Sequence, residues 1–156
     1  MSIMLHVKPI PLALANETVR KWHSHHKPAR GHHFSIGAYI EDKLVGVAIV
    51  SRPVAPELDD GYTREITRVA TNGAKNAASM LLGAAARASM AMGCRRVVTY
   101  TRADEVGTCC KAAGFIQAAT VKGRAWDSGN KETRWLPGLY EPSTEIIDRI
   151  RWERNK

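Results

Sequence analysis

Cysteine is scarce in this sequence, and that scarcity already removes several possibilities. Three are present, Cys94 standing alone and Cys109 and Cys110 side by side. They form neither an even set of paired half-cystines nor a Cys-x-x-Cys metal knuckle, so free thiols and a cytoplasmic setting are the expectation. Long apolar runs are missing too. No window reaches the roughly 18 residues of a helical membrane span, so no membrane partner is expected and the chain should be soluble. The opening stretch MSIMLHVKPIPLALANE has no basic start and no small-residue cleavage site, and is not read as a secretion signal. Acidic side chains are in short supply, 15 against 23 basic ones, which leaves a formal charge of +8. That excess favours an anionic partner, be it nucleic acid, nucleotide cofactor or acidic surface, although a merely basic soluble protein has the same balance.

What is present fits one domain spanning residues 1–156. The 156 residues are 44% hydrophobic and 24% charged, enough for a core but short for two units. No repeat, low-complexity tract or linker interrupts them. MLHVKPI reads as an edge strand stopped by prolines, and Asn16 to His25 as a helix with Val19 and Trp22 on one face. FSIGAYIEDKLVGVAIVSRP is a hairpin turning at Glu41-Asp42-Lys43. YTREITRVA alternates as a further strand, and a helix follows from a cap at Asn76 to about Met92, with Gly93 as its stop. RRVVTYT is a strand, EVGTCCKAA a short helix closed by Gly114, and FIQAATVKG another strand. Residues 124–142 lack clear periodicity. STEIIDRIRWERNK has a Ser143/Thr144 cap signal with Ile146, Ile147 and Ile150 at helical spacing, predicting a basic C-terminal helix over about 143–156. The order β-α-β-β-β-α-β-α-β, with a final strand and helix possible, predicts an α/β (α+β) domain: a mixed central sheet with helices on both faces.

The junction EITRVATNGAKNAASMLLG, starting at Glu65, has a physical meaning of its own. A strand enters a helix through a short polar loop, and the helix start offers unpaired backbone N–H groups at the positive end of its dipole. Gly73 permits unusual backbone angles, Lys75 adds charge, and Asn76 and Ser79 carry side-chain donors. This suits a phosphate or pyrophosphate, while an ordinary capped helix behind a turn fits the same residues.

The element order, this strand-loop-helix, VVTYT in the next strand and CCKAAGF with Gly114 and Phe115 together resemble the GNAT acyltransferase superfamily over about Leu5 to Val121. The resemblance implies acetyl-CoA or another acyl-CoA as cofactor, lying between the fourth and fifth strands. Its pyrophosphate would rest on Thr71 to Asn76, and the binding set would comprise Ile66, Arg68, Val69, Thr71, Gly73, Lys75, Asn76, Ala77 and Ser79. The usual Arg/Gln-x-x-Gly-x-Gly/Ala signature is replaced here by TNGAKNAAS. The implied reaction is N-acylation of an amine acceptor. Glu65, on the strand lining the substrate cleft, is the candidate general base; the alternative is that it pairs with Arg64 or Arg68. Cys110 occupies the place of a Tyr that protonates the leaving thiolate in many members, with core packing as its alternative, and Tyr100 is a rival donor.

Five of six histidines fall within HSHHKPARGHH: His23, His25, His26, His32 and His33. No His-Glu-x-x-His and no neighbouring Cys accompanies them, so no metal site is assigned, and a role in acceptor recognition or as base falls first to His25 and His26. This cluster, LVGVAIVSRP, Glu65-Ile66-Thr67-Arg68 and the Asn76/Ser79 pair ahead of two Leu are similar to a narrower phage-associated group, the Mom-type DNA-modification proteins. That similarity implies a nucleobase acceptor, with Glu65, Arg68, Asn76 and Ser79 in the site and a metal-assisted reaction as one option. Basic residues at 20, 21, 27, 30, 122, 124, 131 and 134, interleaved with Trp126 and Trp135, are then candidates for phosphate contact and base stacking. A GNAT-like binding module without cofactor is the non-enzymatic alternative.

Overall fold

The structure, a computed structural model, describes residues 4–23, 27–123 and 147–156. The elements run β1 (Leu5–Ile10), α1 (Leu12–Trp22), β2 (Phe34–Ile40), β3 (Lys43–Ser51), β4 (Thr63–Thr71), α2 (Ala77–Ala91), β5 (Arg96–Arg102), α3 (Thr108–Ala112), β6 (Ile116–Val121) and β7 (Arg149–Asn155). A single-turn 3₁₀ segment, Pro56–Leu58, lies between β3 and β4. Among the described residues the strands form one seven-stranded sheet in the order β1-β2-β3-β4-β5-β7-β6. Only β4 and β5 pair in parallel, the other neighbours being antiparallel, so the predicted mixed sheet is present.

Alternation along the strands divides the apolar residues between two faces. On one face Ile10, Val47, Ile49 and Ala70 pack under Ala15 and Val19 of α1, with Trp22 partly covered beside them. On the other, Ala48, Val50, Ile66, Val97 and Trp152 pack against Leu81, Leu82, Ala85 and Ala86 of α2 and Cys110 of α3. Helices therefore cover both faces. Each fully buried Leu or Val side chain contributes about 1.5–3 kcal/mol relative to exposure, and the small Ala-rich face of α2 brings its backbone close to the sheet. α1 begins earlier than its sequence suggests, directly after Pro11 at φ −67° and ψ 151°. Proline carries no N–H for the helix to leave unpaired, so the chain can turn helical at once.

The predicted C-terminal helix is corrected. Residues 149–155 are strand β7, inserted between β5 and β6. Ile150 and Trp152 face α2, and the alternate positions Arg149, Arg151 and Glu153 face the opposite way. Trp152 is fully buried, its Nε1 donating to Thr101 Oγ1 at 2.9 Å and its ring lying over Gly107. Period-two burial of this kind cannot be met by a helix. Residues 124–146, with Trp126, Trp135 and the basic positions 124, 131 and 134, lie outside the described residues.

Candidate active site

Among the described strands, the sheet opens between β4 and β5. β4 pairs with β3 along Glu65 to Thr71, but with β5 only from Thr63↔Arg96 to Glu65↔Val98. Beyond Glu65 the two parallel strands part. A register shift against Ile49 and Val50 leaves Thr67 as an extra residue on β4, and such a bulge bends its strand and increases twist. Thr99 Oγ1 donates to the Ile66 carbonyl at 3.1 Å at the mouth of the gap, a side-chain bond standing where the ladder has ended.

On the α2 face of this opening lies the loop of residues 71–76. Gly73 has φ +90° with no atom near the position of an added Cβ, and its N–H is held by Thr71 Oγ1 at 3.3 Å. The Ala74 N–H is held by Asn72 Oδ1 at 3.0 Å. Asn76 precedes α2 at φ +65° and makes no side-chain capping bond, so the predicted cap is absent although the boundary is right. Ala77 N–H bonds to the Ala74 carbonyl, and Ser79 Oγ donates back to the Asn76 carbonyl at 3.2 Å. The N–H groups of Lys75, Asn76, Ala78 and Ser79 have no protein partner among the described residues. Converging unpaired amides at the positive end of a 15-residue helix, with exposed Lys75 beside them, fit a diphosphate. Of the other residues expected around the cofactor, Ile66 is buried in the core and Val69 packs partly against it. Arg68 points elsewhere, its Nε donating to the Lys27 carbonyl at 3.0 Å and its Nη1 to the Thr67 carbonyl at 2.8 Å.

On the α1 face the structure brings together Glu65, Arg68 and Tyr100 with two residues that sequence reasoning missed, Arg149 and Arg151. Glu65 is buried, 6% exposed, and its Oε1 accepts the Val54 N–H at 3.1 Å. Burial raises its pKa, outweighing the Val54 bond and the charges of Arg68 and Arg149. Burial likewise draws the Arg68 pKa down, against the attraction of Glu65 and with repulsion from Arg149. The Tyr100 phenol is raised by burial and by the Glu65 charge, with Arg151 opposing. Arg151 Nε lies 3.2 Å from Glu153 Oε1 without the alignment of a hydrogen bond. Glu153 also faces Arg96 at 3.6 Å. The signal for the two arginines was the alternation of charged and apolar residues in RIRWE, masked by the Ile pair and cap residues upstream.

Ser51, the cross-strand partner of Glu65, opens a concavity of about 300 Å³ that it lines with Gly31, His32, His33 and Arg52. His32 Nδ1 and Ser35 Oγ are 2.7 Å apart. The His33 pKa is lowered by burial and then by Arg64 and Arg52, which keeps its ring neutral at pH 7. Arg52 is tied bidentately through Nε and Nη2 to Asp59 Oδ2 at 3.0 and 2.7 Å. His25 and His26 lie outside the described residues. Among the described residues no three His, Cys, Asp or Glu side chains converge as a metal site would require.

Cys110 is not with this group. It is buried in the core under α2, and the adjacent Cys109, followed by burial, pushes its thiol pKa up. Cys109, half-exposed, is held down to about 6, first by the Cys110 side chain.

A profile of the Mom protein family matches residues 4–150. No curated protein matches the chain in sequence. Solved structures share its architecture at low identity. A Bacillus subtilis acetyltransferase in complex with CoA is 15% identical with a TM-score of 0.61, over 98% of this chain and 99% of that one. A GNAT family acetyltransferase from Elizabethkingia anophelis with acetyl-CoA bound is 16% identical at 0.59, over 97% and 98%. The ribosomal-protein-S18-alanine N-acetyltransferase of Escherichia coli is 14% identical at 0.65, over 97% and 94%. The fold is that of the GNAT acetyltransferases.

Proposed function

The chain belongs to the Mom protein family, and on that premise we propose that it is an acyl-CoA-dependent transferase acting on an amino group of a nucleobase in DNA. The observation that carries this reading is the parting of β4 and β5 after Glu65, with four unpartnered helix-start amides on one face and an arginine-rich cleft around a buried carboxylate on the other. The first suits the diphosphate of CoA. The second suits an acceptor bearing negative charge.

The chemistry follows from the two faces. The acceptor nitrogen attacks the thioester carbon, so a C–N bond forms and the C–S bond breaks, the sulfur leaving with its electron pair. The nitrogen must shed a proton as it attacks, and the Glu65 carboxylate, with one oxygen fixed by Val54, is positioned as the base. Its raised pKa makes it a better proton acceptor than an exposed carboxylate once ionised. The thiolate needs a proton, and Tyr100, raised and therefore protonated at neutral pH, supplies the donor on the acceptor side of the opening. Buried Cys110 is the weaker candidate. A base in a duplex cannot reach a cleft of this kind while stacked, so the target nucleotide would be extruded.

Calorimetric titration with acetyl-CoA tests the donor half. Micromolar binding is expected, weakened at least tenfold in Gly73→Val, because a β-branched residue cannot hold φ +90° and the amides would turn away. Incubation of acetyl-CoA with duplex DNA, followed by mass analysis of the released nucleosides, tests the acceptor half. Absence of acetyl-CoA binding removes the reading. Binding without a modified nucleoside keeps the donor and points to another amine.

A further inference from the structure

We infer, resting on a nucleic-acid acceptor, that Arg149 of β7, with Arg151 beside it and Arg68 across the opening, holds one backbone phosphate of the acceptor strand while the reacting base lies at Glu65. The placement comes from strand parity. Ile150 and Trp152 belong to the core on the α2 face, so Arg149 and Arg151 stand on the α1 face, opposite Arg102 and Tyr100 of β5. Arg149 interacts electrostatically with both Glu65 and Arg68. All these groups therefore share one cleft floor.

The charges on that floor do not cancel. Four guanidinium groups, those of Arg68, Arg96, Arg149 and Arg151, face two carboxylates, Glu65 and Glu153. Glu153 is shared by Arg151 and Arg96, and Glu65 faces both Arg68 and Arg149. Arg68 spends two of its nitrogens on the carbonyls of Lys27 and Thr67. Arg149 is exposed, and its side chain makes no hydrogen bond or ion pair among the described residues. Two neighbouring guanidinium groups repel each other unless an anion completes them, and the planar fork of arginine is suited to two oxygens of one phosphate. The helix-start amides of α2 lie on the opposite face of the sheet, so the donor diphosphate and this phosphate have separate seats.

Fluorescence titration of a labelled duplex, across a range of salt, reads the inference directly. Wild-type protein should bind, and Arg149→Gln should bind at least fivefold more weakly with a log K against log salt slope reduced by about one. Arg149→Lys should retain the slope and lose part of the affinity, since it keeps the charge but not the fork. Affinity for acetyl-CoA should be unchanged in both. Lys43→Gln removes the same charge at the exposed far end of β3 from Ser51 and should match wild type. If Arg149→Gln binds like wild type, or Lys43→Gln loses as much, the inference is wrong while the acceptor reading stands. If wild type binds no duplex even at low salt, the nucleic-acid acceptor itself is removed and the inference with it.

Discussion

A residue's chemistry here depends on which side of the sheet its backbone turns it toward, and the adjacent cysteines show this most simply. Cys110 faces the core, whereas Cys109, on the preceding position of α3, is half-exposed. The Cys110 side chain beside it favours the Cys109 thiolate and lowers its pKa to about 6. At pH 7 iodoacetamide should therefore label Cys109 before buried Cys94 and Cys110, as read by peptide mass. Replacing Cys110 by Ala takes that side chain away, and the Cys109 rate at pH 7 should fall roughly tenfold as less thiolate is present. An unchanged rate would mean that Cys110 does not set the Cys109 pKa. The sequence showed that two thiols were adjacent, and the family resemblance set Cys110 at the place of a Tyr, but neither told which of them faced the core. Glu65 and Tyr100 were picked out because a resemblance pointed to their strands, and the structure sets the two near each other. Arg68 was expected at the cofactor loop, whereas its side chain turns to the α1 face and the Lys27 carbonyl.

At the scale of elements, signals held where one period dominated and failed where two overlapped. β2 and β3 have apolar runs divided by a polar turn, and α2 is bounded by Asn76 and Gly93; both were readable in the sequence. β7 was not, because Ile146, Ile147 and Ile150 imitate a helix face while Ile150 and Trp152 alternate with charged residues as a strand does. That difference bears on the proposed acceptor site, since a strand sets Arg149 and Arg151 on the same face of the sheet as Glu65. β7 also steadies α3 through Trp152, whose ring lies against Gly107 at φ +73°. Alanine at 107 would pay for its left-handed backbone and would also overlap the ring. Together these should cost roughly 2–4 kcal/mol. Urea unfolding should show a lower midpoint with an unaltered slope. A midpoint within error of wild type would mean that Trp152 can move aside, and that α3 is not held by this contact.

For the molecule as a whole, the carboxylate proposed as base sets a pH dependence of folding. The Glu65 pKa is raised in the folded chain above its ordinary 4.5, with burial as the largest cause. The folded state therefore binds this proton more tightly than the unfolded state does. Below 4.5 both states are protonated and the group costs nothing through ionisation. As pH rises through 4.5 toward the raised folded value, the unfolded chain ionises first and stability falls; above the folded value the loss is complete. Glu65→Gln keeps an acceptor for the Val54 N–H and removes the ionisation. Denaturant unfolding between pH 4 and 8 should show wild type losing stability relative to the variant across this window, and the variant the more stable of the two at pH 7. Turnover should move in the opposite direction, because an amide cannot take the acceptor's proton. A variant less stable than wild type at pH 7 would mean that Arg68 and Arg149 compensate the buried charge in full. Glu65 would then be an ion-pair partner of the arginine floor, with its proton too weakly held to serve as the base.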